Sequence, residues 1–211
     1  MVCQSAETAA RVRSTLTGRT RVALHLLRRF LAGFLTLGRK ARYERAGFQL
    51  YGAAVAAARS PYLYVDLGTP DTLDGRFDVI ALHVFLLIQR LKREPEPGPI
   101  LAQAVFDAMF LDMDINLREM GVGDLSVGKR NRAMWEALHG RAAAYTANWE
   151  DAEGLENAIA RNVWRGATPP DGSVTAFKRL MLAQDQALAG QTLDNLKRGI
   201  VHFLPAEEAA R

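Results

Sequence analysis

Ten consecutive residues, Val79 to Ile88, are apolar apart from His83. Read as a helix, such a run is hydrophobic on every side, so it can only be stable with neighbours packed around it. It is shorter than the ~20 residues that a membrane span requires, so it is a core helix of a folded domain. The rest of the chain must supply the layers that enclose it.

Those layers are helical as well. Apolar residues recur at three- and four-residue spacing, with breaks at Gly38, Ser60-Pro61, the EPEPGP run at 94–99, Gly121–Asp124, Gly166–Gly172 and Pro205. The pattern predicts helices near 20–37, 40–59, 70–93, 99–120, 126–149, 152–165 and 173–198. Thr69 before Pro70 suits an N-cap, Ser126 suits another after its glycine turn, and Gly121 and Gly123 suit the turn between two helices. Tyr62–Val65 is the best strand candidate, and it is only four residues long. The fold class is therefore all-α: one compact domain of about seven helices over 39–200, a basic segment over 1–38 and a tail over 201–211. The expected core includes Val79, Leu82, Phe85, Leu86, Val105, Leu111, Ile115, Leu138 and Ala142. One cysteine, Cys3, excludes internal disulfides and thiolate metal clusters.

Charge is concentrated at one end. Residues 1–45 hold ten basic side chains against Glu7 and Glu44, a net +8, which leaves −4 on the remainder. Within this end, 22–37 reads as a basic amphipathic helix of about 24 Å, too short to cross a bilayer. Two destinations are open to it, the protein's own core or an anionic surface. On the second, Arg21, Arg28, Arg29, Arg39, Lys40 and Arg42 would meet lipid headgroups or ribosomal RNA, with no specificity for DNA sequence. The Arg-rich, acid-poor start also has the composition of a mitochondrial presequence.

Several motifs resemble chemistry without completing it. Asp112, Asp114 and Asn116 match the first ligands of a calcium loop, but Leu117 and Gly123 stand where Gly and Glu are needed. Gly123 to Lys129 has phosphate-loop spacing, yet Arg130 replaces the magnesium-binding hydroxyl and a helix replaces the preceding strand. His83 is the one candidate base, near Asp71, Asp74 and Asp78, and a single histidine on an apolar helix also reads as a hydrogen-bonded packing residue. No metal or cofactor is expected. Phe106, Met109, Phe110, Met113, Leu117 and Met120 form a Phe/Met stripe that suits either core or an adaptable apolar acceptor. Arg76 and Arg118 stand among nine acids, at Asp66, Asp71, Asp74, Asp78, Asp107, Asp112, Asp114, Glu119 and Asp124. This imbalance predicts that the two runs meet as a charge-paired seam with Arg118 enclosed.

The stretch 64–145 resembles the ubiquinol-cytochrome c chaperone family. The match is carried by Asp66-Leu67-Gly68, Pro70-Asp71-Thr72, Asp74-Gly75-Arg76-Phe77-Asp78 and Leu82-His83. It continues through Phe106-Asp107, Asp112-Met113-Asp114, Asn116-Leu117-Arg118-Glu119-Met120-Gly121-Val122-Gly123-Asp124 and Gly128-Lys129. The resemblance implies an all-helical, non-catalytic assembly factor for the cytochrome bc1 complex, whose client is newly synthesised cytochrome b. It implies action at the membrane surface near the ribosomal tunnel exit, with a small partner subunit in mitochondrial relatives. The style of the chain suggests an alphaproteobacterial member on the cytoplasmic face of the inner membrane, the matrix side of a mitochondrial membrane being the alternative. The competing reading is a membrane-surface helical protein with ligand-binding or enzymatic chemistry in the Asp/His-rich segment 66–83.

Overall fold

The structure, a computed structural model, describes residues 43–211, without the side chains of Asp124 and Leu125. The basic helix expected over 22–37, with Arg21, Arg28, Arg29, Arg39, Lys40 and Arg42, lies outside the described residues. In chain order the elements are α1 over 43–58, α2 (Pro61–Val65), α3 (Leu73–Lys92), α4 (Gly98–Glu119), α5 (Asp124–Ala147) and α6 (Ala152–Ile159). α6 widens into a π-helical turn, Ala160–Trp164, and α7 (Ser173–Ala189), α8 (Leu193–Lys197) and α9 (Ala206–Ala209) follow. Among the described residues there is no strand.

The apolar run occupies the centre as its composition demands. Val79, Leu82, Val84, Leu86, Leu87 and Leu91 of α3 are wholly inaccessible, and α4, α5, α7 and the π-helical turn all pack on this helix. α4 and α5 run antiparallel, since Phe106 meets His139 near one end and Asp114 bonds Asn131 near the other. The turn between them uses Gly121 at φ +76°, a left-handed conformation open to glycine at no steric cost. Phe85 carries the core towards the end of α5, with ring centroids 5.4 Å from Tyr145 and 6.0 Å from Trp149.

Several sequence expectations are corrected. α3 starts at Leu73, because an N-cap needs extended backbone directly before the first helical residue. Thr72 meets this at φ −116°, ψ 166°, its hydroxyl accepting from Gly75 N at 3.1 Å, and Thr69 is buried in the preceding loop. Gly123 occupies the cap position of α5, which puts Ser126 inside the first turn, its N–H donating to Gly123 O. Tyr62–Val65, too short to be read as a strand, is a helical turn within α2, in keeping with the all-α expectation. The last long helix stops at Ala189, where Arg90 supplies the missing partners. Its Nε donates to Leu188 O at 2.9 Å and its Nη2 to Gln191 O at 2.8 Å, so a buried cation satisfies carbonyls at and just beyond the helix C-terminus.

Residues 201–211, expected as a tail, are part of the packing. The side-chain amide of Gln184 both donates to Leu204 O and accepts from Leu204 N, and Gln191 does the same with His202. A glutamine amide offers the donor and acceptor of a peptide group, so each of these two mimics one rung of a ladder. Val201, Ala206, Ala209 and Ala210 are thereby held in the core.

Of the predicted core, Val79, Leu82, Phe85, Leu86, Val105 and Leu138 are buried and Ala142 is half-buried. Leu111 and Ile115 are 49% and 47% exposed. α4 carries a second apolar stripe, Leu101, Ala104, Ala108, Leu111 and Ile115, which is buried as far as Ala108 and emerges beyond it. Met109, Met113 and Leu117 turn inwards, which rotates Leu111 and Ile115 out.

Candidate functional site

The second half of α4 and the first half of α5 form one wall of a cleft of about 830 Å³. α1, α2 and the start of α3 form the other wall. Its deeper lining is apolar: Tyr51 and Val55 from α1, Phe77 and Ile80 from α3, Met113 and Leu117 from α4, and Met134 and Ala137 from α5. At the mouth Val65, Leu73 and Met120 are 80%, 62% and 51% exposed. Three large apolar side chains held in water around one cavity extend its contact surface beyond its volume.

Charged groups frame this lining. Asp71 accepts from Arg76 Nε at 2.5 Å and Nη2 at 3.1 Å, a bidentate pair that holds the Asp71 carboxyl below the usual carboxylate range. Asp74 pairs with Arg165 at 2.9 Å. Asp112 accepts from the Tyr51 hydroxyl at 2.7 Å, and burial together with this bond pushes the Tyr51 hydroxyl well above its ordinary pKa. Asn116 is turned to its own helix and donates to Asp112 O at 2.7 Å.

Behind the cleft lies an ion cluster. Asp78 is wholly buried, and both Arg141 and Arg165 reach its carboxylate, each with a closest approach of 2.5 Å. Burial pushes the Asp78 carboxyl up, and the two guanidiniums oppose that shift only in part. Arg165 arrives from an unusual position. The π-helical turn places Trp164 in the core, with its indole N–H donating to Gly68 O at 3.0 Å, and leaves Arg165 left-handed at φ 51°. From there its guanidinium bridges buried Asp78 and exposed Asp74, so the cleft edge is tied to the core.

Of the residues singled out from sequence, Asp71, Asp74, Arg76, Asp112, Met113, Asn116, Leu117 and Met120 line this cleft. The DGRFD and DMDxNLREM runs therefore face one another, but Arg118, expected to be enclosed between them, is exposed. Arg76 pairs within its own segment, and Arg118 pairs with Asp114 one turn away at 2.7 Å, with its side chain 52% exposed. Helical spacing favours the local partner, and enclosing Arg118 would have required α4 to rotate its Met113 side outwards. Arg118 holds the Asp114 carboxyl below its ordinary range, with help from Asn131. Asp66 and Glu119 are exposed outside the cleft, Met109 is core, and Phe106 and Phe110, both half-buried, meet at a tilt with ring centroids 4.6 Å apart.

His83 belongs to the core as a packing residue. Its Nδ1–H donates to Val79 O at 2.9 Å and its ring meets Phe203 edge-on at 5.4 Å. Burial pushes its pKa down to about 4, so the ring is neutral near pH 7. The acids of segment 66–83 thus do not converge on it, and no three His, Cys, Asp or Glu side chains gather as a metal site among the described residues. Sequence reasoning passed over Tyr51, Val55, Arg59, Arg130, Met134 and Arg165 as lining residues. They come from three separate segments with no shared motif, and only the apolar spacing of α1 and α5 hinted at them.

Comparison with known proteins agrees with the earlier resemblance. The profile of the family described as Ubiquinol-cytochrome C chaperone matches residues 65–203. The ubiquinol-cytochrome-c reductase complex assembly factor 1 of Xenopus laevis is 23% identical over 129 residues, which are 60% of this chain and 62% of that protein. The chain thus spans about three fifths of the length of that relative. The crystal structure of the Cbp3 homolog from Brucella abortus superposes with a TM-score of 0.70 at 30% identity, covering 83% of this chain and 98% of that one. With two thirds of its length inside the family profile, its helical fold shared with a solved relative, and the Asp-Gly-Arg and Asp-Met-Asp runs facing one another across the cleft, this chain belongs to the ubiquinol-cytochrome c chaperone family.

Proposed function

We propose that the protein is a non-catalytic assembly factor for the bc1 complex and holds an apolar segment of newly made cytochrome b in the cleft. The observation that carries this reading is the cleft itself, an apolar lining with Met113, Met120 and Met134 among its residues and with charged borders. Methionine is unbranched and polarizable, so such a surface adapts to apolar helices that differ in detail. Folding does not need the rim residues Val65, Leu73 and Met120 to be exposed, and an apolar client covers them.

The basic first 45 residues support attraction to the anionic membrane face from which such a client emerges, on the bacterial cytoplasmic side or the matrix side. No helix among the described residues is long and apolar enough to cross a membrane. Contact with the ribosome near the tunnel exit and with a small partner subunit belongs to the same proposal.

The test is photocrosslinking of the full-length protein to cytochrome b during its synthesis. Val55→Asp in the cleft should abolish the crosslinks while the circular dichroism melt stays cooperative, and Leu111→Asp outside the cleft should leave them intact. Undiminished crosslinking of the Val55 variant would sink the proposal.

A further inference from the structure

Seven charged side chains border the cleft, and they are not equally engaged. All three acids have partners: Asp71 accepts from Arg76, Asp74 pairs with Arg165, and Asp112 accepts from the Tyr51 hydroxyl. Arg59, directly after α1, and Arg130, on α5, are exposed on opposite walls. Among the described residues neither of these two makes a hydrogen bond or ion pair with an acid.

Resting on the chaperone reading above, we infer that the cleft selects apolar client helices that carry carboxylates beside the apolar stretch, with Arg59 and Arg130 as the two groups that read them. In the empty cleft both guanidiniums are solvated. An occupant that covers the apolar lining strips water from them, which costs free energy unless the occupant supplies an anion. An acidic flank offsets that cost, a neutral flank leaves it standing, and a Lys or Arg flank adds repulsion. Of the rim acids, Asp71 and Asp74 are ion-paired with Arg76 and Arg165, and Asp112 alone, held by the neutral Tyr51 hydroxyl, stands against the two unpaired guanidiniums. Specificity thus comes chiefly from penalising the wrong flank. The exposed Val65, Leu73 and Met120 favour a peptide helix over a single acyl chain, because a chain confined to the cavity leaves these three in water.

This preference opposes the usual charge bias of membrane helices, whose cytoplasmic flanks are rich in Lys and Arg. The cleft would therefore pass over the basic flanks of a polytopic client and engage a helix end bearing acids.

The experiment uses the full-length protein and three labelled peptides of about 18 residues, long enough to form a helix on contact. They share one Leu/Ala/Phe core and carry two Glu, two Gln or two Lys at the flanks. Binding read by fluorescence anisotropy should rank Glu over Gln over Lys, with the Glu peptide about fivefold tighter than the Gln peptide at low salt. The ratio should shrink in about 0.5 M salt. In Arg59→Gln/Arg130→Gln the three affinities should converge on that of the Gln peptide with the parent protein. Equal binding of the Glu and Gln peptides by the parent overturns the inference and leaves the apolar cleft reading standing. Failure of every peptide to bind, or undiminished binding by Val55→Asp, overturns the cleft reading itself. Displacement of the Glu peptide by monomeric lysophosphatidylglycerol, with loss of that displacement in the double variant, overturns the inference in favour of a lipid.

Discussion

Asp78, without any accessible surface, accepts hydrogen bonds at 2.5 and 3.0 Å from Arg165, a residue 87 positions further along the chain. That contact ties the start of the core helix to the end of the π-helical turn. The second partner, Arg141, reaches the same carboxylate from α5 and is itself buried. Removing it leaves a buried carboxylate with one half-exposed guanidinium. Arg141→Met should therefore lower stability by about 3 kcal/mol in urea unfolding, and Asp78→Asn combined with Arg141→Met should recover part of the loss. A single-variant loss below about 1 kcal/mol would mean that Arg165 alone compensates Asp78.

Acid should weaken the fold through His83. Its pKa is pushed down by burial to about 4 from 6.5, so between those values the unfolded chain binds a proton that the folded protein refuses. Its contribution is complete above pH 6.5 and is lost as pH falls towards 4. The linkage corresponds to about 3 kcal/mol across that window. A His83→Phe variant that folds should show a flatter stability profile between those pH values. An unchanged slope would assign the acid sensitivity to other groups.

Gly47 governs how closely α1 approaches α4. A methyl group built on it would lie 2.6 Å from the Ala104 carbonyl carbon, and backbone cannot swing aside as a long side chain can. Gly47→Ala should cost about 1 to 3 kcal/mol despite the better helix propensity of alanine. Because α1 carries Tyr51 and Val55, the displaced helix should also reduce binding of an apolar peptide. A more stable variant with unchanged binding would show that α1 shifts freely.

Arg118→Ala should change stability little, since its side chain is half-exposed and its pair with Asp114 is local and solvated. Phe85→Ala, by contrast, empties a 6% exposed site between Tyr145 and Trp149. That should cost about 3 to 5 kcal/mol. Thermal melts of the two variants give the comparison, and a larger loss at Arg118 would reverse the assignment of core on α3 and surface on α4.

Periodicity made the all-helical class and the central place of α3 readable without coordinates, because an apolar run with one polar member has one stable environment. The family motifs made one part of the cleft readable, since Asp71, Asp74, Arg76, Asp112, Met113 and Leu117 stand in recognisable runs. Local spacing could not say which apolar side chains turn inwards in the second half of α4, because both sets satisfy helical periodicity. The choice of Met113 over Ile115 rests on how α3 and α5 close around α4. The same limit applied to charge. Any of several acids could pair with any arginine along the chain, and only the packed arrangement gives Asp78 to Arg141 and Arg165 while leaving Arg59 and Arg130 without an acid among the described residues. Local periodicity and turn chemistry act over a few residues and so determined the elements. Burial, ion pairing and the cleft depend on groups tens of residues apart, and the tertiary structure decided them.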